Sequence, residues 1–457
     1  MSAPVLWIVF PFVLGTVMLP FLNHQRIIKW IGSLSSLLLL LVAVFQPIGN
    51  VIRVGQFVID FKPELQFLGR ALVLSNEDRI VLVLLYGTLL LFISTIDRSY
   101  FPAKAIPLSI LVTALLISAQ AVEPFLYSAV LVEMAVLMMV PLVREKTSHL
   151  GKGILRFIIF LSLAVPFILF TGWVLGGSQA SLSEGKQLTS AAVFLAIGFT
   201  FWLAVFPFHS WVPQFSAEVN PLYLSLIFNI LPITILVLLK DFITNYIWLR
   251  DSLYLSPVLR NVGSIMIVTA GIWMTTEKEI KRLLAYCVLL ESGFALLMLS
   301  LFADGGDQLL YQSFFPRVLS LLMIGFSLAV MSKTGMELSL TGIRGALKKF
   351  PFSSIGVLIG LFTLAGFPLF AGFPYKLETL HQVGSISTST VLWIAVGLAG
   401  MLFGLLRIFI SLTYPGNEKW EIHETIVQAI FISGGSLILI VLGWFPGIIA
   451  YLVSALR

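Results

Sequence analysis

This sequence predicts an all-α, polytopic membrane protein of about 14 transmembrane helices, and three observations predict it. Hydrophobic residues make up 58% of the chain and charged residues 11%, with a mean hydropathy of +1.01, whereas soluble domains carry about 25% charged residues. Apolar runs of the roughly 20 residues that cross a bilayer recur from one end to the other. Two of these runs are interrupted by Pro and Gly, in FPFHSWVPQF (206–215) and AGFPLFAGFPYK (365–376).

The runs lie near 4–22, 28–46, 80–96, 105–121, 124–143, 153–175 and 189–206, and then near 221–240, 258–276, 283–302, 309–331, 352–373, 389–412 and 427–454. The first starts almost at Met1 without a basic leader or a small-residue cleavage site, so it reads as a retained helix. Residues 47–79 are the longest polar connection, and VIRVGQFVIDF within it alternates as a small extracellular hairpin does. Residues 176–188, GGSQASLSEGKQL, read as a Gly/Ser-rich outer loop. The whole of 1–457 reads as one membrane domain.

The interrupted spans are the seventh, at Pro207, His209 and Pro213, and the twelfth, at Gly366, Pro368, Gly372 and Pro374. Two broken spans five apart predict two inverted five-helix repeats, 103–243 and 258–412, flanked by 1–102 and 413–457. The plainer account is that Gly and Pro are common in membrane helices.

The net charge of +6 needs no nucleic acid. Loops after the first, third, fifth, ninth and eleventh runs are basic (for example Arg26, Lys104, Arg144, Lys278 and Lys348), those after the fourth and tenth are acidic (Glu123; Asp304 and Asp307), and the loop after the eighth (Lys240, Arg250 and Arg260 against Asp241 and Asp251) weakens the pattern without reversing it. By the positive-inside rule the odd-numbered loops face the cytoplasm and both termini lie outside. The single Cys287 excludes an internal disulfide and a cysteine-ligated metal centre.

Charge inside a span costs roughly 2.5–3.5 kcal/mol on insertion scales, so each instance needs a reason. Glu133 stands alone in the fifth span, Glu291 lies in the tenth, and Arg317 follows Pro316 in the eleventh. A lone intramembrane carboxylate is either a proton or cation site or a neutral helix–helix hydrogen bonder. Arg317 is too deep to snorkel and is expected to pair with a carboxylate. Lys376 and Glu378 follow the second break and are candidates for a local pair at the surface. Lys240 and Arg407 are expected to snorkel. One histidine, His209, makes no metal site, and its expected job is a hydrogen bond that fixes the broken helix. The seventh run, 189–206, holds no ionisable side chain at all.

These residues carry a family resemblance. FPFHSWVPQFSAEVNPLYLS (206–225), TEKEIKRLLAYCVLLESG (276–293), TLAGFPLFAGFPYK (363–376) and FGLLRIFIS (403–411) resemble, in order, motifs of the antiporter-like membrane subunits of respiratory complex I. Subunits of Mrp-type Na+/H+ antiporters and membrane-bound hydrogenases belong to the same family. The likeness covers roughly residues 80–412. It implies fourteen helices in two inverted five-helix repeats, with helices seven and twelve broken. It also implies that Glu133 matches the family's span-five glutamate, and Lys376 the span-twelve lysine on the exit side of a proton path. The departures are as informative. Trp202 stands where the family has its span-seven lysine, Asn229 at the span-eight His/Lys position, Ser313 and Arg317 at the span-eleven His and Lys, and Glu291 at the motif histidine. Trp and Asn do not titrate, and Arg stays charged.

Three functions compete. The first is a membrane subunit of a complex I-like or Mrp-like assembly that translocates protons or Na+, with other membrane subunits and the bilayer as partners. The second is an antiporter-shaped scaffold that no longer conducts. The third is the membrane partner of a soluble zinc protein in inorganic-carbon uptake. No cofactor is expected, since nothing suggests a site for quinone, flavin, nickel or iron–sulfur, and any enzyme activity would belong to a complex.

Overall fold

In lipid no water is available to backbone N–H and C=O groups, so each apolar run closes its own hydrogen bonds as a helix. The computed structural model describes residues 2–49, 51–54, 57–67, 69–96, 102–144, 151–177, 184–415 and 420–457. Its first half runs through α1 (Phe10–Met18), α2 (Gln25–Phe45), α3 (Arg79–Thr95), α4 (Ala105–Ala121), α5 (Ser128–Val143), α6 (Lys152–Gly177), α7 (Glu184–Trp202), α8 (Trp211–Glu218) and α9 (Pro221–Asn245). A single turn, α10 (Ile247–Arg250), leads to α11 (Leu255–Thr276), α12 (Ile280–Ser300), α13 (Gly306–Lys333), α14 (Pro351–Ala365) and α15 (Phe373–Ile386). The chain continues in α16 (Thr388–Leu412), α17 (Ile426–Trp444) and α18 (Gly447–Leu456). Among the described residues nine helices are long and apolar enough to cross a membrane, and six apolar ones are shorter. The protein is an integral, many-spanning helical membrane protein.

Several ends differ from the sequence reading. The seventh span stops at Trp202 and the twelfth at Ala365, short of Pro207 and Pro368, each of which lacks an N–H and disfavours helix in the residue before it. The last run is two helices, and Pro446 stands at the N-cap of the second. The expected outer loop at 176–188 is helical at both ends, to Gly177 and from Glu184, and 178–183 lie outside the described residues.

The expected hairpin forms between β1 (Val51–Val54) and β2 (Phe57–Asp60), with Val51 opposite Asp60. A second hairpin, β3 (Glu64–Phe67) with β4 (Arg70–Val73), gains a third strand, β5 (Val122–Glu123). Two residues are too few to carry an alternation, so β5 left no signal in the sequence.

Helices α9, α12 and α13 form the centre, buried on nearly every face, as helices apolar all round must be. Helix α13 packs on α9 and α14, α12 packs on α8 and α11, and α11 lies along α16. Glycine allows that last contact, because a Cβ on Gly271 would lie 2.0 Å from the Gly397 carbonyl oxygen, the close approach small residues permit in membranes.

Cations follow a shared rule. Lys29 donates to the Ser94 and Ile96 carbonyls at the end of α3, at 3.2 and 2.5 Å. Arg79 donates to the Ala43 and Val44 carbonyls at the end of α2, at 3.0 and 2.7 Å. Arg407 bonds the Thr275 carbonyl of α11 at 2.6 Å, so it is tied to a neighbouring helix where snorkelling was expected. Lys281 of α12 donates to the Ala217 and Val219 carbonyls at the end of α8. A helix C-terminus offers unpaired carbonyls and the negative end of the dipole, which suits a cation. Lys240 departs from both expectation and rule, being buried and paired with Asp241 at 3.0 Å and Glu77 at 3.3 Å.

Candidate functional site

The second break gathers the charged residues. Helix α15 turns Tyr375, Lys376, Thr379 and Val383 inward, the i, i+3, i+4 spacing of one helix face. Lys376 Nζ lies 2.5 Å from Glu291 Oε1 of α12, and both side chains are less than 10% exposed, at 7% and 9%. Lys376 also donates to the Leu364 carbonyl in the last turn of α14, and its ammonium lies 4.7 Å from the centroid of the Phe294 ring. The break itself makes room. Gly366 has φ +70°, and a Cβ there would lie 2.5 Å from Lys376 Cδ, so the turn and the seat of the lysine both need glycine.

Magnitudes decide what holds these charges. A cation at a helix C-terminus gains about 0.3–1 kcal/mol, up to about 2 when partly buried. That falls short of the roughly 2.5–3.5 kcal/mol cost of each lone charge in a span. The Glu291–Lys376 contact therefore supplies what the helix end does not. Removing one partner of such a pair costs about 3–5 kcal/mol, because the other is left charged and alone.

Arg317 is 2% exposed. Its Nη2 donates to the Phe228 carbonyl at 3.2 Å, while its Nε has no hydrogen-bond partner among the described residues. The expected carboxylate partner is taken, since Glu291 pairs with Lys376. Glu291, Ser313, Arg317, Thr363, Tyr375 and Lys376 line one cavity of about 10 Å³, room for about one water. Ser313 donates to the Leu310 carbonyl of its own helix at 2.7 Å. Asn229 adjoins this group, donating to the Ser225 and Val318 carbonyls at 2.9 and 3.3 Å, and so ties α9 to α13.

The other candidates stand apart. Glu378 points outward, is exposed, and accepts from Gln382 at 2.8 Å. Its expected pairing with Lys376 is not made, since residues two apart on a helix do not face each other. Glu133 Oε1 accepts from Ser162 of α6 at 2.6 Å, and its Oε2 is buried without a partner among the described residues. Trp202 is 3% exposed, with no partner for its Nε1, and stands edge-on to Phe199 at 5.6 Å. Around the first break Phe201 and Phe208 meet at 4.6 Å, and Phe160 lies 6.2 Å from each. His209 Nδ1 is buried without a partner and the ring stacks on Phe206 at 5.5 Å, so this nitrogen does not make the hydrogen bond expected to fix the helix. The sequence reading also missed Ser162, Phe294 and the Leu364 carbonyl as contacts. Their nearest signal was the i, i+3 spacing of Glu291 and Phe294.

Each break contains one non-glycine residue at positive φ, Ala204 at 54° and Leu369 at 77°. Ala204 is buried, but Leu369 is 63% and Phe367 41% exposed. At about 1.5 Å per residue, the 15 residues of α14 carry that loop about 22 Å from the helix start.

Residues 177–403 match the family model described as NADH:quinone oxidoreductase/Mrp antiporter, transmembrane. The chain is 29% identical over 236 residues to the NADH-quinone oxidoreductase subunit N of Wolbachia sp. subsp. Brugia malayi, covering 50% of each chain. It is 25% identical over 368 residues to the subunit N of Pelagibacter ubique, covering 76% of each. The chain thus spans half the length of the first of these relatives and about three quarters of the second. A chain in the structure of an Mrp complex from a Dietzia species superposes with a TM-score of 0.83 at 15% identity, covering 99% of this chain and 96% of that one. That likeness shows the fold.

Proposed function

With residues 177–403 belonging to the NADH:quinone oxidoreductase/Mrp antiporter transmembrane family, we propose that this chain is a membrane subunit of a multisubunit ion-translocating assembly, and that the Glu291–Lys376 pair carries its transferable proton. The observation that carries the reading is that contact at 2.5 Å between two buried, oppositely charged groups at a helix break. A proton passed from Lys376 to Glu291 leaves two neutral groups, so the site can change its charge arrangement without stranding an ion in lipid. Arg317 keeps a fixed positive charge beside the cavity, and Ser313, Thr363 and Tyr375 complete its lining with hydroxyls that donate to backbone carbonyls. Na+ is the alternative cargo.

The exposed loop at the second break supports assembly with other subunits. Non-helical backbone at membrane depth is tolerated only where protein covers it or water reaches it, and Leu369 is 63% exposed in the single chain. The paired breaks support two inverted repeats over 103–243 and 258–412, and the basic odd-numbered loops support both termini lying outside a bacterial inner membrane. The test is transport by the assembly purified in mild detergent and returned to vesicles. Lys376→Met is expected to abolish proton or Na+ movement while the subunits stay together; wild-type transport in that variant would sink the reading.

A second reading has its own observation. In the first half Trp202 packs edge-on to Phe199, Asn229 bonds backbone carbonyls, and Ser162 is the one hydrogen-bond partner of Glu133 among the described residues. That half then acts as scaffold, and Glu133→Gln is expected to leave transport unchanged. The zinc-partner reading would gain if a soluble zinc protein came down with the chain.

A further inference from the structure

The helix end that Lys376 holds has a counterpart at the far end of the same helix. Helix α14 begins with Pro351, so its first N–H groups are those of Phe352 and Ser353, and neither has an intrahelical acceptor. Glu424 supplies both. Its carboxylate accepts from Phe352 N at 2.9 Å and from Ser353 N and Ser353 Oγ, each at 2.5 Å. Glu424 lies on the extended stretch before α17, and that stretch is fastened to the entry of α14. Glu421 N donates to the Lys348 carbonyl at 3.3 Å and His423 N to the Lys349 carbonyl at 3.0 Å, while the His423 ring lies 5.7 Å from Phe350.

A carboxylate at the N-terminus and an ammonium at the C-terminus are the two charges a helix dipole favours. Here both come from other elements, and one of them belongs to the buried pair. About 22 Å separates the two ends at 1.5 Å per residue over the 15 residues of α14, too far for a direct effect of one charge on the other. The connection is mechanical. Sliding or turning α14 moves the Leu364 carbonyl against Lys376, and Glu424 fixes α14 along its axis.

We propose that Glu424 is a positioning residue for the Glu291–Lys376 pair, acting through the register of α14. This rests on the proton-transfer reading for its consequence in transport, but its structural part can be tested without it. Hydrogen exchange is measured on the assembly in lipid nanodiscs for the wild type, Glu424→Ala and Glu424→Gln. Any loss of a helix cap speeds exchange in the first turn, 352–355. Positioning predicts that exchange at the break, 362–372, also rises, by about tenfold or more, the factor of one lost charge-assisted hydrogen bond. Glutamine keeps one acceptor oxygen, so Glu424→Gln should fold where Glu424→Ala fails, and should show the smaller rise of the two where both fold. Exchange that rises at 352–355 and not at 362–372 overturns the proposal.

Transport separates the two ideas. If Lys376→Met abolishes transport, Glu424→Gln should keep subunits together, lower the rate several-fold and move the midpoint of its pH profile by about one unit. An unmoved profile beside a dead Lys376→Met overturns the positioning role alone. Normal transport in Lys376→Met removes the proton-transfer reading and leaves the exchange result to decide about Glu424.

Discussion

The two broken helices solve one backbone problem with opposite chemistry. At the first break, between α7 and α8, Trp202 stands edge-on to Phe199, Phe160, Phe201 and Phe208 pack as tilted rings, and the residue at positive φ, Ala204, is buried. At the second, between α14 and α15, glycine opens a seat for a lysine, and a glutamate, an arginine and hydroxyls share a small cavity with it. Losing the helical hydrogen bonds therefore does not by itself make a polar site. The side chains that fill the gap decide whether it becomes a plug or a place for charge.

The largest expected effect breaks the second site. Lys376→Met should destabilise the chain by about 3–5 kcal/mol by stranding Glu291. The double variant Glu291→Gln with Lys376→Met should recover most of that loss. Denaturant titration of the purified assembly gives both numbers, and a double as unstable as the single would mean the pair is not the main contact of either residue. Making the first break resemble the second comes next. Trp202→Lys should cost about 2.5–3.5 kcal/mol and lower the amount of assembled complex, seen on native gels. Full assembly with that lysine would mean the aromatic plug already admits water.

Gly366→Ala sharpens the contrast at its source. Strain at φ +70° and the clash with Lys376 should cost about 1–3 kcal/mol, with transport falling in step. Trp202→Phe should cost less than about 1.5 kcal/mol and leave transport untouched. Smallest of all, Glu378→Gln should fall within about 0.5 kcal/mol of wild type, because its carboxylate is exposed and bonded only by Gln382.

Much of this contrast was legible in the residues. The order of spans followed from apolar runs, and the breaks from Pro207, Pro213, Gly366 and Pro368. The absence of charge in 189–206 already described the first break. What stayed hidden was partnership. Sequence proximity offers Glu378 as one candidate partner for Lys376, although helix geometry turns the two to different faces. Glu291 is 85 residues upstream, and only packing of α12 beside α15 brings it near. Lys240 was read as a snorkelling residue because Glu77 lies 163 residues away. The cations on helix ends were invisible for the same reason: a carbonyl left over by one helix is bonded by a side chain from another, and no local pattern records that.

The bond from Lys376 to the Leu364 carbonyl ties the end of α14 to the charge of one buried side chain. A neutral amine is a weaker donor than an ammonium and has no attraction for the negative end of a helix. A proton leaving Lys376 therefore loosens the end of α14 in the same event. Under the proposed proton transfer, charge and backbone at this break move together: an arriving proton tightens a joint in the membrane and a departing one slackens it.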